Sequence, residues 1–136
     1  MATEILVNDG GAPARILPFT AASGTNLSGG RFVTMDDQAE INHADTASTT
    51  SLGVLLTDAG SGQNASVITG KGVVLNVPVS GTVSGGTALT LSSGTVGAGY
   101  CISGTAALVA TGGAVGVYLD STANANGPNL RKVLTL

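Results

Sequence analysis

The stretch from Leu52 to Val79, LGVLLTDAGSGQNASVITGKGVVLNVPV, sets strand, turn and strand signals in uninterrupted order and leaves no room for a helix. Leu52 to Thr57 is an apolar run, Asp58 to Asn64 gathers the glycines and small polar residues of a turn, and Ala65 to Thr69 alternates through Val67. This pattern predicts a β-hairpin. Lys71 and Gly72 break the chain before Val73, Val74, Leu75, Val77 and Val79, a further strand whose mostly β-branched side chains suit a pleated, packed surface.

Part of this pattern recurs. Val115 to Leu119, VGVYL, resembles Leu52 to Leu56, LGVLL, with Gly116 matching Gly53. Upstream, Leu27 to Met35, LSGGRFVTM, parallels Val83 to Leu91, VSGGTALTL. Each copy places a Ser-Gly-Gly turn first and an X-Gly-Val strand later. Two copies make two related β-units; a solenoid or propeller needs roughly three or more repeats to bury a continuous core.

A chain of 136 residues is most simply one domain. Charged residues make up only 10% of it, against roughly 25% in ordinary soluble domains, and Gly occurs 21 times. Neutral, hydroxyl-rich surfaces follow, with few charges to oppose close packing against another protein. The net charge of −3 and the single adjacent basic pair, Arg131 and Lys132, argue against nucleic acid, which needs clustered cations to neutralise phosphates. Cys101 is the lone cysteine, so no disulfide is expected within the chain. The start of the sequence has neither the basic residues nor the long apolar run of an export signal, and no segment approaches the roughly 20 apolar residues that span a bilayer.

In chain order, strands are expected over Glu4 to Asn8, Arg15 to Thr20, Arg31 to Met35 and Ala39 to Asn42, then over the central hairpin and Val73 to Val79. Thr87 to Leu91, Tyr100 to Ser103, Gly116 to Asp120 and Leu130 to Leu136 complete the series. Pro18 lacks a backbone donor and favours an edge for its strand. Ala106 to Ala110 is ambiguous, bracketed by glycines too closely for a helix of ordinary length.

Candidate chemistry is sparse. Asp36, Asp37, Glu40, His43 and Asp45 crowd one short segment and offer oxygens to a hard cation, but the spacing lacks the ordered ligands and glycine of an EF-hand loop, so a solvated acidic turn is expected. His43 with Cys101 suggests a thiolate pair, yet Cys101 lies between Tyr100 and Ile102 and reads as a small core residue. No serine stands in a G-x-S-x-G elbow, and neither Ser-Gly-Gly opens a phosphate-cradling helix. The chain has no Trp, and Phe19, Phe32, Tyr100 and Tyr118 are its only aromatics, which makes a carbohydrate platform a weak reading. No catalytic, cofactor-binding or metal-ligating residue is therefore assigned.

The strand from Arg15 to Thr20, the Ser-Gly-Gly turn into an apolar strand, LGVLLTDAGSGQNASVITGKGVVL, the second Ser-Gly-Gly-Thr-Ala-Leu-Thr-Leu and the late VGVYL together resemble the small capsid decoration, or cement, proteins of tailed double-stranded DNA bacteriophages. The similarity covers roughly Arg15 to Leu136. It implies an all-β, non-enzymatic, commonly oligomeric protein on the outer face of an icosahedral head. Such a protein is made in the host cytoplasm and partners the major capsid protein without cofactor, nucleic acid or membrane. A trimer is favoured, with a dimer as alternative, because capsids present local threefold positions. A head fibre base or tail component is the alternative within virion proteins, and an enzyme is a third class.

The expected architecture is a single all-β domain over residues 15–136, a compact β-sandwich or barrel-like (β-tulip-like) fold built from two related β-units. Val54, Leu56, Val74, Leu89, Val117 and Leu119 are expected to be buried, and residues 1–14 to form an N-terminal arm or edge strand.

Overall fold

The computed structural model describes residues 13–44, 51–92, 98–105, 109–110 and 113–136. Its first unit contains β1 (Arg15–Thr20), β2 (Phe32–Met35), β3 (Ile41–His43), β4 (Gly53–Leu55) and β5 (Asn64–Thr69). The second contains β6 (Val74–Val79), β7 (Ala88–Leu91), β8 (Cys101–Ser103), β9 (Ala114–Tyr118) and β10 (Asn129–Thr135). Only Val109 and Ala110 carry helical backbone among the described residues. The strand expected over Glu4 to Asn8, all but Pro13 and Ala14 of the arm, and Asp45 lie outside those residues.

The first unit is a five-stranded sheet in the order β1-β5-β4-β2-β3, and the second is a closed barrel in the order β10-β6-β8-β7-β9. The same plan underlies both. In the second unit, β6 and β8 close the barrel as its parallel pair at Val79 and Cys101. In the first, β1 and β3 approach in the same sense through a single parallel bridge between Ala21 and Ile41. Pro18 lies on β1, an end strand of its sheet, where its missing donor is tolerated.

The correspondence extends to register. Phe32 faces Val54 and Val33 faces Gly53 across β2 and β4, as Ala88 faces Val117 and Leu89 faces Gly116 across β7 and β9. Val67 and Ile68 pair with Leu55 and Val54, as Val133 and Leu134 pair with Tyr118 and Val117. The turns match too. The Gly30 N–H donates to the Leu55 carbonyl, and the Gly86 N–H to the Tyr118 carbonyl. Each is the last glycine of its Ser-Gly-Gly motif, with φ of 87° and 81°, a backbone region that glycine enters at least cost.

Each unit fills its interior from equivalent positions. Ala21, Leu27, Val33, Ile41, Leu55 and Val67 in the first correspond to Val79, Val83, Leu89, Cys101, Tyr118 and Val133 in the second, and all are buried. The opposite side of the first unit is buried as well. Phe32, Ala44, Val54 and Ile68 belong to the same hydrophobic cluster as Leu75, Val77, Leu89 and Leu91 of the second unit, so the outer face of one sheet closes one end of the other barrel.

The burial expected from sequence holds for Val54, Val74 and Leu89, but Leu56 and Val117 are half-buried and Leu119 is exposed. The period of two explains the difference. Gly116 and Tyr118 turn into the second barrel, which leaves Val117 and Leu119 facing outward, and among the described residues no further unit covers them as the second unit covers Val54 and Leu56.

The X-Gly-Val repeat has a steric cause. A Cβ on Gly53, whose φ is +154°, would lie 2.0 Å from the Ile68 carbonyl oxygen; one on Gly116 would lie 2.5 Å from Val133 Cγ1 and 2.9 Å from the Leu134 oxygen. Gly53→Ala and Gly116→Ala are expected to cost about 1–3 kcal/mol or more each, as overpacking does. Gly85→Ala, whose Cβ would meet only the Asp120 oxygen at 3.4 Å, is the control and should change stability little in the same urea titration.

Candidate interaction surfaces

The join between the units carries polar contacts around an apolar seat. The Phe32 N–H donates to the Gly99 carbonyl at 3.0 Å, and the Gly99 N–H donates to the Ala44 carbonyl at 2.6 Å. Gly99 sits in the left-handed region, and a Cβ there would lie 2.7 Å from Arg31 Cβ, so the turn before β8 can approach this closely only as glycine. Beside it, the Arg31 guanidinium lies 4.2 Å from the centre of the Tyr100 ring while its Nη2 donates to the Tyr100 hydroxyl at 2.6 Å. Ser28, Gly29, Pro78, Pro128 and Leu130 complete a cleft of about 390 Å³ around this pair. Sequence reasoning missed it, because Arg31 and Tyr100 belong to different units and nothing in the spacing joins them.

His43 stands under the cleft's first wall. The Ser28 N–H donates to its Nε2 at 3.0 Å, and the neighbouring Gly29 N–H donates to Asp58 Oδ1 at 2.8 Å. Burial holds the His43 pKa below its ordinary value of 6.5, and the nearby Arg31 charge adds to that effect. The unprotonated imidazole therefore helps to hold the Ser-Gly-Gly turn that forms the cleft edge.

The acidic segment is a set of structural caps. Asp36 Oδ1 accepts from the Gln38 and Glu40 N–H groups and its Oδ2 from Asn42 Nδ2, while Glu40 Oε2 accepts from the Ser23 N–H. Asp37 is exposed. Among the described residues no three His, Cys, Asp or Glu side chains gather as metal ligands. Cys101 is fully buried, and burial pushes its thiol pKa far above the ordinary range, so it packs as a core residue and is separated from any nucleophilic role. Among the described residues, no helix is long and apolar enough to cross a membrane.

Several large apolar side chains stay open, Ile16, Leu130 and Leu136 among them. Leu17 and Met35 point into the end of the first unit and are 43% and 40% exposed. Their equivalents in the second unit, Leu75 and Leu91, are 1% and 6% exposed, because the first unit covers them. Leu119, on the outer face of the second unit beside Val117, is 41% exposed.

This two-unit plan has a solved counterpart. The chain is similar to the N base of head fiber gp8.5 of bacteriophage phi29, with a TM-score of 0.63 over 90% of this chain and 95% of that one, at 18% sequence identity. The likeness establishes a shared fold. The sequence itself matches no protein-family model and no curated protein.

Because the His43 pKa is lower folded than unfolded, the unfolded chain binds the proton first. Its contribution to stability is complete above about pH 6.5 and is lost as pH falls through the folded value. Urea midpoints measured from pH 8 to pH 4.5 should fall on the acid side, and His43→Gln should flatten that part of the profile. The same folded protein should leave Cys101 unmodified by a thiol reagent until denaturant is added.

Proposed function

We propose that this protein is a structural component of a tailed-bacteriophage virion that binds the outer surface of the head. The observation that carries this reading is the near-complete match of its two-unit fold to a phage head-fibre base. The sparse charge and the open apolar patches support it, since both favour close packing against protein. In this reading the chain decorates the head as a cement protein, contacts the major capsid protein and stabilises the contacts between its subunits. It acts as a symmetric homo-oligomer, with a trimer preferred over a dimer. An oligomer seated on a matching symmetry site gains from avidity: once one protomer is bound, the others act at an effective concentration of roughly millimolar, which raises overall affinity by about 10² to 10⁴. The N-terminal arm over residues 1–14 adds to a sheet edge of the capsid or of a neighbouring copy.

A second reading makes the chain the base of a head fibre, and the structural neighbour, itself the N base of a head fiber, favours it. The two differ in copy number and place. Gold labelling and reconstruction of intact particles should show the protein on the head, spread over the lattice for decoration or confined to discrete fibre positions for a base. Its absence from purified particles would overturn both. For decoration, particles stripped of the protein should lose DNA at lower temperature than complete ones, and equal retention would remove the stabilising role. Deleting residues 1–14 should reduce occupancy on the head while leaving the β-domain folded.

A further inference from the structure

The two units meet head to tail: the outer face of the first, made of Phe32, Ala44, Val54, Leu56 and Ile68, closes the end of the second barrel at Leu75 and Leu91. Such a contact uses two different surfaces, so a chain of two units leaves one of each unused. The face left outside is on the second unit, where Ala88, Val117 and Leu134 are half-buried, Val109 lies against Gly104 at the position of Ala44, and Leu119 is exposed. The unused end is on the first unit, where Leu17 and Met35 are exposed. These are the residues that the shared register places at the positions closed inside the chain.

We propose that copies of this chain associate head to tail, with the outer face of the second unit of one copy seated on the open end of the first unit of the next. The occupant is a second copy because the chain already contains a worked example of this contact between its own units. Asp120, next to Leu119, is engaged by Arg131 at 3.8 Å. The contact is shallower than the internal one. Ala39 takes the place of Gly99 in the same left-handed turn and holds the partner back by a methyl group, while Ala88 stands where the first unit inserts Phe32 and leaves room for Met35.

A contact of two unlike surfaces closes into a ring when its rotation allows, and otherwise extends into a filament. The inference supplies the contact for the homo-oligomer proposed above. Its test uses purified protein without particles, so its failure leaves binding to the head standing. Wild type is expected to sediment as a closed oligomer, with a mass three times that of the monomer. Leu119→Glu blocks the face and Met35→Glu blocks the end, and each variant alone should fall to the monomer mass. An equimolar mixture should return to twice the monomer mass, because one intact face and one intact end remain and the blocked pair prevents closure. Both positions are exposed, so thermal midpoints should stay near that of wild type; Leu17→Glu replaces Met35→Glu should the latter fail to fold. A mixture that stays monomeric, or a single variant that assembles as wild type does, overturns the proposal. So does a wild type that remains monomeric to millimolar concentration, which is the outcome if the chain's own first residues or another partner cover the open end.

Discussion

The row of Phe32, Val54 and Ile68 across β2, β4 and β5 is the contact on which the rest of the molecule depends. A five-stranded unit of this size buries too little surface to be secure alone, and an open barrel end would leave its inner residues wet. Seating the row on the second barrel meets both needs. Each of the three side chains, fully buried, contributes about 1.5–3 kcal/mol of transfer free energy, and the same act dries Leu75 and Leu91. The hydrogen bonds of Gly99 then fix the angle at which the units meet, since they tie the turn before β8 to Phe32 on one side and Ala44 on the other. One domain results from two repeated units because their shared surface is part of the core.

The sequence announced the parts of this plan that rest on local backbone demands. Ser-Gly-Gly is readable because its last glycine must adopt a positive φ, and X-Gly-Val because a carbonyl of the next strand approaches too closely for any Cβ. Those two motifs revealed the duplication. The other equivalent strands stayed hidden, because β1 and β6, or β3 and β8, share only the requirement for an apolar residue facing inward. Arg15-Ile-Leu-Pro-Phe-Thr and Val73-Val-Leu-Asn-Val-Pro illustrate it: inward Leu17 and Leu75 agree, but Arg15 stands in the place of Val73 and Pro18 in that of Asn76. The pairing of Ser66-Val-Ile-Thr with Lys132-Val-Leu-Thr was a weak trace of the same kind. The misjudged burial of Leu119 has a related origin, since apolar character does not reveal whether a neighbour exists to cover it.

Polar groups mark where the units became different. Asn124, in the loop before β10, is completely buried; its amide donates to the carbonyls of Val79, Gly81 and Asn126, and its oxygen accepts from Asn129 Nδ2 and Arg131 Nε. It bridges to Val83 as Ala59 bridges to Leu27 in the first unit, so an apolar plug at the end of the first unit is replaced by a hydrogen-bonded one at the mouth of the second unit's barrel. Tyr118, equivalent to Leu55, likewise extends across its barrel to donate to the Thr122 carbonyl at 2.7 Å. A loop-borne asparagine gives no periodic signal, and its importance comes from five partners that only the fold assembles.

These differences also say how a repeated unit acquires direction. Two identical units related head to tail would offer the same surfaces at every joint, and nothing would distinguish the joint within a chain from one between chains. Here the internal joint has Gly99 where the open end has Ala39, Phe32 where the free face has Ala88, and the Arg31–Tyr100 pair where the equivalent positions are Thr87 and Glu40. Each substitution favours the internal contact: the glycine permits approach, the phenylalanine fills it and the guanidinium stacks over it. The large hydrophobic and charge-assisted terms therefore act inside the chain, and the surfaces left outside lack the phenylalanine and the guanidinium–ring pair. In the head-to-tail assembly proposed above, a chain divided in this way would fold before it associates, and its external contacts would become durable only where geometry lets several act together.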